Sequence, residues 1–588
     1  MALRIVTARR VSQGFFFLLL VWFCVVASLG AAWYQLRGWP INWLLTLDPL
    51  PAIGTLLSTG TLTPGLWWGL AIILPTLFLG RVFCGFVCPL GALNQFTGWL
   101  ARLGQGSAER IADNRYRPAQ VIKYLLLVFF LASALAGSLQ TGLLDPLPLI
   151  HRSVNLVLAP IFDRPFQVLA TKPRFYAHAW TLAALFGAVV LLNLTVPRFF
   201  CRILCPLGAL FGFMNRFTPW RIGKAKDTCG DCHLCEAHCE GGCHPSGAIR
   251  TAECVLCFNC LDVCPAKRIV FAGQPSAAGE IPLPDTTRRG LLAATAAGLL
   301  AAPAWALSGF SGPNNNPQLI RPPGSLDEDR FLARCDRCGQ CMRVCPANVI
   351  HPTLTEAGIQ GLWTPMLNYR LGSSGCQPNC VACGQVCPTS AIRPLSLEEK
   401  QGRGDFAAKG PVRLGTAFVD RTRCLPWAMD RPCIVCQELC PVSPKAIFTR
   451  VVFAPVRGGA GKAASVQGRT LALTGLTLPP VNLASGDYFL RPSALPTGGL
   501  AAEPVQVAAF SPAGLTLARE PSKDLGWPAP LAQGQEMQVV VRLQQPHVDP
   551  SRCIGCGLCE HECPISGLRG IRVTSENESR SRRTRMLA

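Results

Sequence analysis

Thirty of the 588 residues are cysteine, and most fall in short groups. "CVLCFNCLDVCP" spaces Cys254, Cys257, Cys260 and Cys264 by two, two and three residues and closes on proline. "CDRCGQCMRVCP" (Cys335, Cys338, Cys341, Cys345) and "CIGCGLCEHECP" (Cys553, Cys556, Cys559, Cys563) repeat the phrase. In a small secreted chain such residues would cross-link. Here the gaps are too short for most of them to pair productively. Several sulfurs converging within one loop are what an iron–sulfur cube needs: three thiolates of a run wrap one [4Fe–4S] cluster and the fourth reaches the partner cube. Zinc accepts four thiolates as well, but its structural sites use two separated knuckles.

Two groups are variants. "CQPNCVACGQVCP" holds Cys376, Cys380, Cys383 and Cys387, and "CLPWAMDRPCIVCQELCP" holds Cys424, Cys433, Cys436 and Cys440; each displaces only its first cysteine. With the runs at 335–345 and 553–563 they provide ligands for four cubes. The expected pairing joins the first of these four groups to the last and the second to the third, so that regular faces regular. A further group, "CGDCHLCEAHCEGGCHP", has five cysteines: Cys229, Cys232, Cys235, Cys239 and Cys243. Cys229, Cys232 and Cys235 with Cys264 would hold one cube. Cys254, Cys257 and Cys260 would hold another, with Cys239 or Cys243 as its fourth ligand; "HPSGAI" after Cys243 resembles the sequel of a ferredoxin run and tilts the choice to Cys243. "CGDCH" also matches a haem c attachment pattern, but it lies inside a ferredoxin run, so His233, His238 and His244 are read as loop residues. The expected total is six [4Fe–4S] clusters.

Two half-motifs remain. "RVFCGFVCPLGALNQF" at 81–96 and "RFFCRILCPLGALFGF" at 198–213 carry Cys84, Cys88, Cys201 and Cys205 as C-x3-C-P without the leading pair. On an α-helix, residues four apart share a face, so the two pairs could supply four thiols to a shared redox or metal centre. The alternative is packing, since buried free cysteines are common and a duplication copies them. Cys24 stands alone in an apolar run and is assigned to packing.

These ligands need elements to hold them. A hydrophobic share of 49% with 15% charged residues points to a membrane component. The formal charge of +21 follows the accumulation of basic residues in cytoplasmic loops, and no aromatic–basic motif speaks for nucleic acid. Four apolar spans are expected, near Gly14–Leu36, Thr61–Gly80, Tyr124–Leu144 and His178–Val196, with a kink at Pro75. The basic bias places the amino terminus and both half-motifs at the cytoplasmic face of a bacterial inner membrane. "TTRRGLLAATAAGLLAAPAWALSG" at 286–309 pairs Arg288 and Arg289 with an apolar run and a small-residue site ending at Ala306, the form of a twin-arginine export signal; an ordinary fifth span is the alternative. Either one puts the remainder in the periplasm. The expected fold class is a membrane α-helical bundle, four spans plus a twin-arginine or anchor helix, with α+β ferredoxin-like [4Fe–4S] domains on both sides. The expected domains are 1–220 (membrane), 221–280 (cytoplasmic two-cluster ferredoxin), 281–309 (linker and signal or anchor helix) and 310–588 (periplasmic four-cluster ferredoxin). Alternating β-branched residues at 446–545 mark a β-rich insert of short strands.

The stretch from "GRVFCGFVCPLGALNQF" to "CLDVCP" resembles the NapH/MauN group of polytopic ferredoxin-type membrane proteins. The twin-arginine segment and the four groups after it resemble the NapG/MauM group of exported ferredoxins. Those parts are usually separate chains, and here they are fused. The resemblance implies a quinol dehydrogenase component that passes electrons from the membrane quinone pool to a periplasmic cytochrome or reductase of the nitrate-reductase type. An electron donor for metalloenzyme maturation and a redox sensor are the alternatives. No flavin, nicotinamide or molybdenum motif is visible, so substrate reduction falls to a partner. No sequence feature places the quinone site, for which His151 and His178 are the weak candidates.

Overall fold

The computed structural model describes residues 5–28, 41–166, 174–226, 232–307, 316–478, 486–493, 502–511, 514–528 and 531–580. The chain forms two compact units, 1–414 with 578–588, and 415–577. The stretch 310–588, expected as one domain, is therefore divided after Leu414.

The first unit is built on helices α1 (Ile5–Ser28), α2 (Pro49–Thr59), α3 (Ile73–Leu79), α4 (Pro89–Leu100), α5 (Ile122–Leu135), α6 (Pro146–Ser153), α7 (Ala179–Leu191), α8 (Pro206–Met214) and α9 (Arg288–Leu307). Sequence sets their ends. α2 begins where the Asp48 carboxylate accepts the Leu50 N–H with proline at the first helical position, and it stops at Gly60 in the left-handed conformation. Pro75 lacks the N–H that would bond to Ala71, and the helix before α3 ends at Ala71. Leu20, Phe23, Leu50, Phe83, Leu90, Phe200, Leu207 and Phe211 share one apolar core.

Among the described residues, two helices are long and apolar enough to cross a membrane, Ile5–Ala27 and Pro118–Leu135. Two more apolar helices are shorter, Pro64–Leu79 and Ala179–Leu194. The four expected spans thus reduce to two by length: the second is interrupted ahead of Pro75, and the third ends at Leu135, not Leu144. The first starts nine residues earlier than expected, at Ile5, and residues 29–40 lie outside the described residues. α9 lies against α5. A Cβ at Gly298 would stand 2.4 Å from the Phe129 carbonyl oxygen and one at Gly290 3.5 Å from Leu125, so the two helices run in the same direction and touch through small residues.

Two cysteine-rich modules cap this bundle. Residues 221–281 carry an antiparallel ladder, Arg221–Lys224 with Ile269–Ala272. Residues 316–414 carry another, Ile350–Pro352 with Pro365–Leu367. The first module meets the amino-terminal parts of α1 and α5, through Arg9 to Glu240 (3.3 Å) and Lys123 to Glu253. The second meets the segment after the other end of α5, where Leu139 N–H donates to the Leu332 carbonyl (3.2 Å). Asp336 comes so close to Gly142 that a Cβ there would lie 2.0 Å from its carbonyl oxygen, and only glycine fits.

The second unit holds a third module, with Thr416–Val419 paired antiparallel to Ile571–Thr574. Inserted into it is a closed barrel of β1 (Ile447–Gln467), β2 (Thr470–Thr474), β3 (Tyr488–Pro492), β4 (Val505–Ser511), β5 (Gly514–Leu517) and β6 (Glu536–Val548), in the order β3-β4-β5-β2-β1-β6. Where short strands were expected, β1 runs 21 residues. Its interior is filled by Leu471, Leu490, Val505, Leu515, Trp527, Met537 and Val539. The two ends of the insert are partners, Ile447 opposite Val548.

Candidate metal centres

The two half-motifs fold alike. Phe83–Val87 and Phe200–Leu204 are π-helical turns, in which Cys88 N–H bonds to Phe83 O (3.0 Å) and Cys205 N–H to Phe200 O (2.9 Å). The expected α-helical i,i+4 face is therefore not what joins each pair. Instead the first cysteine sits inside the turn, and the second leaves helical geometry to cap the next helix. The Cys88 sulfur accepts the Gly91 N–H (3.4 Å) and the Cys205 sulfur the Gly208 N–H (3.1 Å). Proline follows each cysteine because it occupies the first helical position, where its missing N–H costs nothing. Both capping sulfurs stand at the positive, amino-terminal end of a helix. All four thiols converge: Cys88 lies within electrostatic reach of Cys84 and Cys201, and Cys205 within reach of all three others.

Buried cations ring this set. Arg81, Arg198 and Lys123 all act on Cys201, and each is at most 2% exposed. Arg81 and Arg198 stand three residues before the first cysteine of their repeats, 117 positions apart like the cysteines. The repeated R-x-F-C was visible in the sequence but was counted there only toward topology. Carboxylates of the 221–281 module balance the charge. Glu253 accepts from Lys123, from Gln120 (2.8 Å) and from the Tyr124 hydroxyl (3.0 Å), while Glu240 accepts from Arg9 and Arg198 (2.7 Å). Burial works against the Glu253 charge, yet Lys123 and Arg81 hold its carboxyl below the ordinary range. Removing one partner of such a pair would strand a buried charge.

In the 221–281 module, Cys229 lies outside the described residues and Cys232 is exposed. Cys264 accepts the Arg268 N–H at 3.4 Å. Cys239 and Cys243 have their sulfurs 3.3 Å apart. Cys239 is the strongest thiol neighbour of Cys257 and also acts on Cys254 and Cys260, whereas Cys243 touches Cys239 and Cys254. Both sulfurs therefore border the 254–260 loop, Cys243 through a hydrogen bond with Cys254, and the two candidates for the fourth ligand lie side by side. His233 and His244 flank Glu236 (3.7 and 3.4 Å). His151 is bonded to the Leu147 carbonyl (2.9 Å) and His178 to Glu356 (3.2 Å); neither lines the large cavity beside α4.

The other two modules settle how their groups combine. Cys335, Cys338 and Cys341 share one small enclosed cavity with Cys387; Cys376, Cys380 and Cys383 share another with Cys345. In the second unit, Cys424, Cys433 and Cys436 meet Cys563, and Cys553, Cys556 and Cys559 meet Cys440. Groups one and two pair, and groups three and four pair, so the expected one-with-four and two-with-three arrangement is incorrect. Each module joins one regular run to one irregular run, and each run gives its last cysteine to the other. Elsewhere the walls are largely apolar, as with Ala417, Val442, Ile447 and Val573 around Cys440 and its partners. Among the described residues no three of His, Cys, Asp and Glu close on a point as ligands of a single ion would. Four thiols around a cavity suit a cube, whereas one zinc would draw its sulfurs to about 2.3 Å from a shared centre. Donors reach several sulfurs: Ala417 N–H to Cys553 (3.4 Å), Ile392 N–H to Cys387 (3.5 Å) and Lys400 Nζ to Cys376 (3.6 Å).

Comparison with known proteins agrees with this chemistry. A family described as "4Fe-4S binding domain" matches residues 61–106 and 178–225, which enclose the two half-motifs, and a second family of the same description matches 331–351 and 546–568. The chain carries 4Fe-4S binding domains. These domains place it among ferredoxin-type relatives. It is 31% identical over 251 residues to the putative electron transport protein YccM of Escherichia coli, covering 42% of this chain and 66% of that one. It is 30% identical over 162 residues to the methylamine utilization ferredoxin-type protein MauN of Paracoccus denitrificans (27% and 48%). To the methylamine utilization ferredoxin-type protein MauM of Methylorubrum extorquens it is 32% identical over 161 residues (26% and 66%). These matches span at most 66% of a relative's length. No solved structure matches.

Proposed function

We propose that this protein is a membrane-anchored electron conduit that oxidises quinol at the cytoplasmic face and delivers electrons to a periplasmic cytochrome or reductase. Six [4Fe–4S] clusters, two on the cytoplasmic and four on the periplasmic side, would supply the one-electron relays when bound. The chain sets their spacing, burial and nearby charge. One observation carries this reading: a single apolar core contains Cys88 and Cys205 of the half-motifs together with Cys338 of the 316–414 module. Thiol sets at both ends of α5 are thereby joined through one packed interior. The convergent Cys84, Cys88, Cys201 and Cys205, inside the segments matched by the 4Fe-4S family, are proposed as a further redox centre between them.

Four spans and a fifth helix form the proposed anchor, with the shorter apolar helices completed by their flanking turns. The packing of α9 on α5 supports a helix retained in the bundle, and the twin-arginine pair Arg288–Arg289 at its start supports export of residues 310–588. The test is anaerobic purification and EPR after adding a reduced quinol analogue. Cluster reduction is expected; none at all would sink quinol oxidation by this chain and favour the maturation or sensing alternatives. Changing Arg288 and Arg289 to Lys is expected to leave residues beyond 310 on the cytoplasmic side, read by protease access in spheroplasts.

A further inference from the structure

A cavity of about 740 Å³ opens between α1 and α4, and nothing above uses it. Its walls are of two kinds. Phe17, Leu93, Phe96 and Trp99 form an apolar side, with Phe96 and Trp99 more than half exposed on the outer surface of the bundle. Gln13, Asn94, Gln95, Arg102 and Arg198 form a polar interior. Arg102 is bonded to Asp113 and Arg198 to Gln95 and Glu240, yet each keeps a terminal nitrogen unmatched. Arg102 Nη2 and Arg198 Nη1 donate to no protein atom, and the two residues are 8% and 2% exposed. The polar side, with its two arginines and its Gln and Asn amides, suits a molecule with oxygen acceptors. The polar interior also borders thiols. Asn94 Nδ2 lies 3.9 Å from the Cys201 sulfur, and Arg198 acts on both Cys201 and Cys257.

We infer that this cavity is the quinol site: the ring sits among Gln13, Asn94, Arg102 and Arg198, and the isoprenoid tail leaves past Phe96 and Trp99 into lipid. The inference rests on the proposed conduit function and adds the place of electron entry. A lipophilic carrier with a two-oxygen head fits a pocket that is apolar toward the bilayer and donor-rich inside. On oxidation both O–H bonds of the quinol break and the molecule leaves as quinone. Its two electrons would be accepted one at a time by clusters that the 221–281 thiols would hold, and its two protons go to water at the exposed rim near Arg10. Proximity of the ring to these thiols serves transfer, and no group of the chain need be covalently changed.

The test uses the full chain, iron-loaded, in lipid nanodiscs. An azido-naphthoquinone is expected to label peptides containing Gln13–Phe17 and Ala92–Trp99, with duroquinol in excess preventing it. Gly98→Leu should obstruct the cavity, because a Cβ there meets only Arg102 Nη1, at 3.5 Å. Duroquinol-driven cluster reduction should slow by about tenfold or more, with iron content and the dithionite-reduced EPR spectrum unchanged; Gly98→Ala should keep the parent rate. If the parent protein is reduced and Gly98→Leu is reduced equally fast, the site is elsewhere. If the parent protein is not reduced at all, the conduit reading fails, and labelling still judges the pocket. Label on other segments, or a co-purified phospholipid in the cavity that duroquinol cannot displace, overturns the inference. Should Gly98→Leu lose iron, the labelling pattern alone decides.

Discussion

The 316–414 module and the module of the second unit solve one problem from opposite directions. In the first the regular run leads and the irregular run comes second; in the second the irregular run leads and the regular run comes after a barrel. Both reach the same exchange, three thiols from one run and the last from the other. The pairing therefore depends neither on run order nor on sequence separation. It arises from the C-P step at the end of each run, which turns the chain away and projects the last cysteine toward a partner. The surroundings differ more. In the first module Cys335, Cys338, Cys341, Cys345, Cys376 and Cys383 are buried, and Arg343–Asp163 (2.7 Å) and Arg321–Glu328 are ion pairs closed to solvent. In the second, Cys433, Cys440, Cys556 and Cys563 are half-buried, and the comparable pair Arg572–Asp420 (3.0 Å) reaches solvent.

The pairing is the part of this comparison most open to breakage. Cys335→Ser with Cys387→Ser is expected to remove one cluster, about four irons per chain, the same loss as Cys335→Ser alone. Cys335→Ser with Cys376→Ser should remove about eight. Iron analysis with Mössbauer spectroscopy reads both, and equal losses in the two doubles would overturn the crossed arrangement. Next in size is the difference in burial. Glu328→Gln strands Arg321 in a dry site, while Arg580 keeps Glu578, and should cost about 3 kcal/mol in denaturant unfolding at pH 7. Burial opposes the Glu328 charge, but the arginines hold its carboxyl below the usual range. Its stabilisation is accordingly present above about pH 4.3 and is lost as pH falls through the lowered folded value. Asp420→Asn, at the exposed counterpart, should shift the unfolding midpoint of the second unit far less.

A smaller effect concerns cluster potentials. Lys400 donates to the carbonyls of Gln377 (2.7 Å) and Cys380 (2.6 Å) and to the Cys376 sulfur. Lys400→Met should lower one midpoint potential in redox-titrated EPR by about 60 mV, a tenfold change for one electron, and leave the signals of the second unit in place. An unchanged potential would mean that the ammonium does not act on a cluster. The smallest expected effect comes from the barrel. Joining Ala454 to Val541, which face each other across β1 and β6, through an Asn-Gly turn should leave the iron content of the second unit unchanged. Iron loss would show that the barrel does more than bridge two ladder-bound ends.

Much of the chemistry was legible because cluster ligation is local. Cys254, Cys257 and Cys260, or Cys553, Cys556 and Cys559, lie within one loop, so spacing alone signals them. Arg81 and Arg198 were legible in principle, as repeat partners, but a buried cation and a topology marker look the same in a sequence. The spans were less legible: Pro75 disclosed the break in the run at Thr61–Gly80, but the run at Tyr124–Leu144 showed composition without the stop at Leu135. Alternation at 446–545 disclosed strands without their closure, because a barrel is defined by pairing between residues as distant as Glu536 and Lys462.

By itself the sequence determined the ligand type, the grouping of thiols into cluster-sized sets and the duplication of the half-motif. All of these are carried by identity and short spacing. Tertiary structure decided which run gives its last cysteine to which, that Cys239 and Cys243 lie side by side, and that four half-motif thiols are neighbours among buried cations. It also decided where an amphipathic cavity lies beside them. Those outcomes depend on distances between residues far apart in the chain, and packing alone sets such distances.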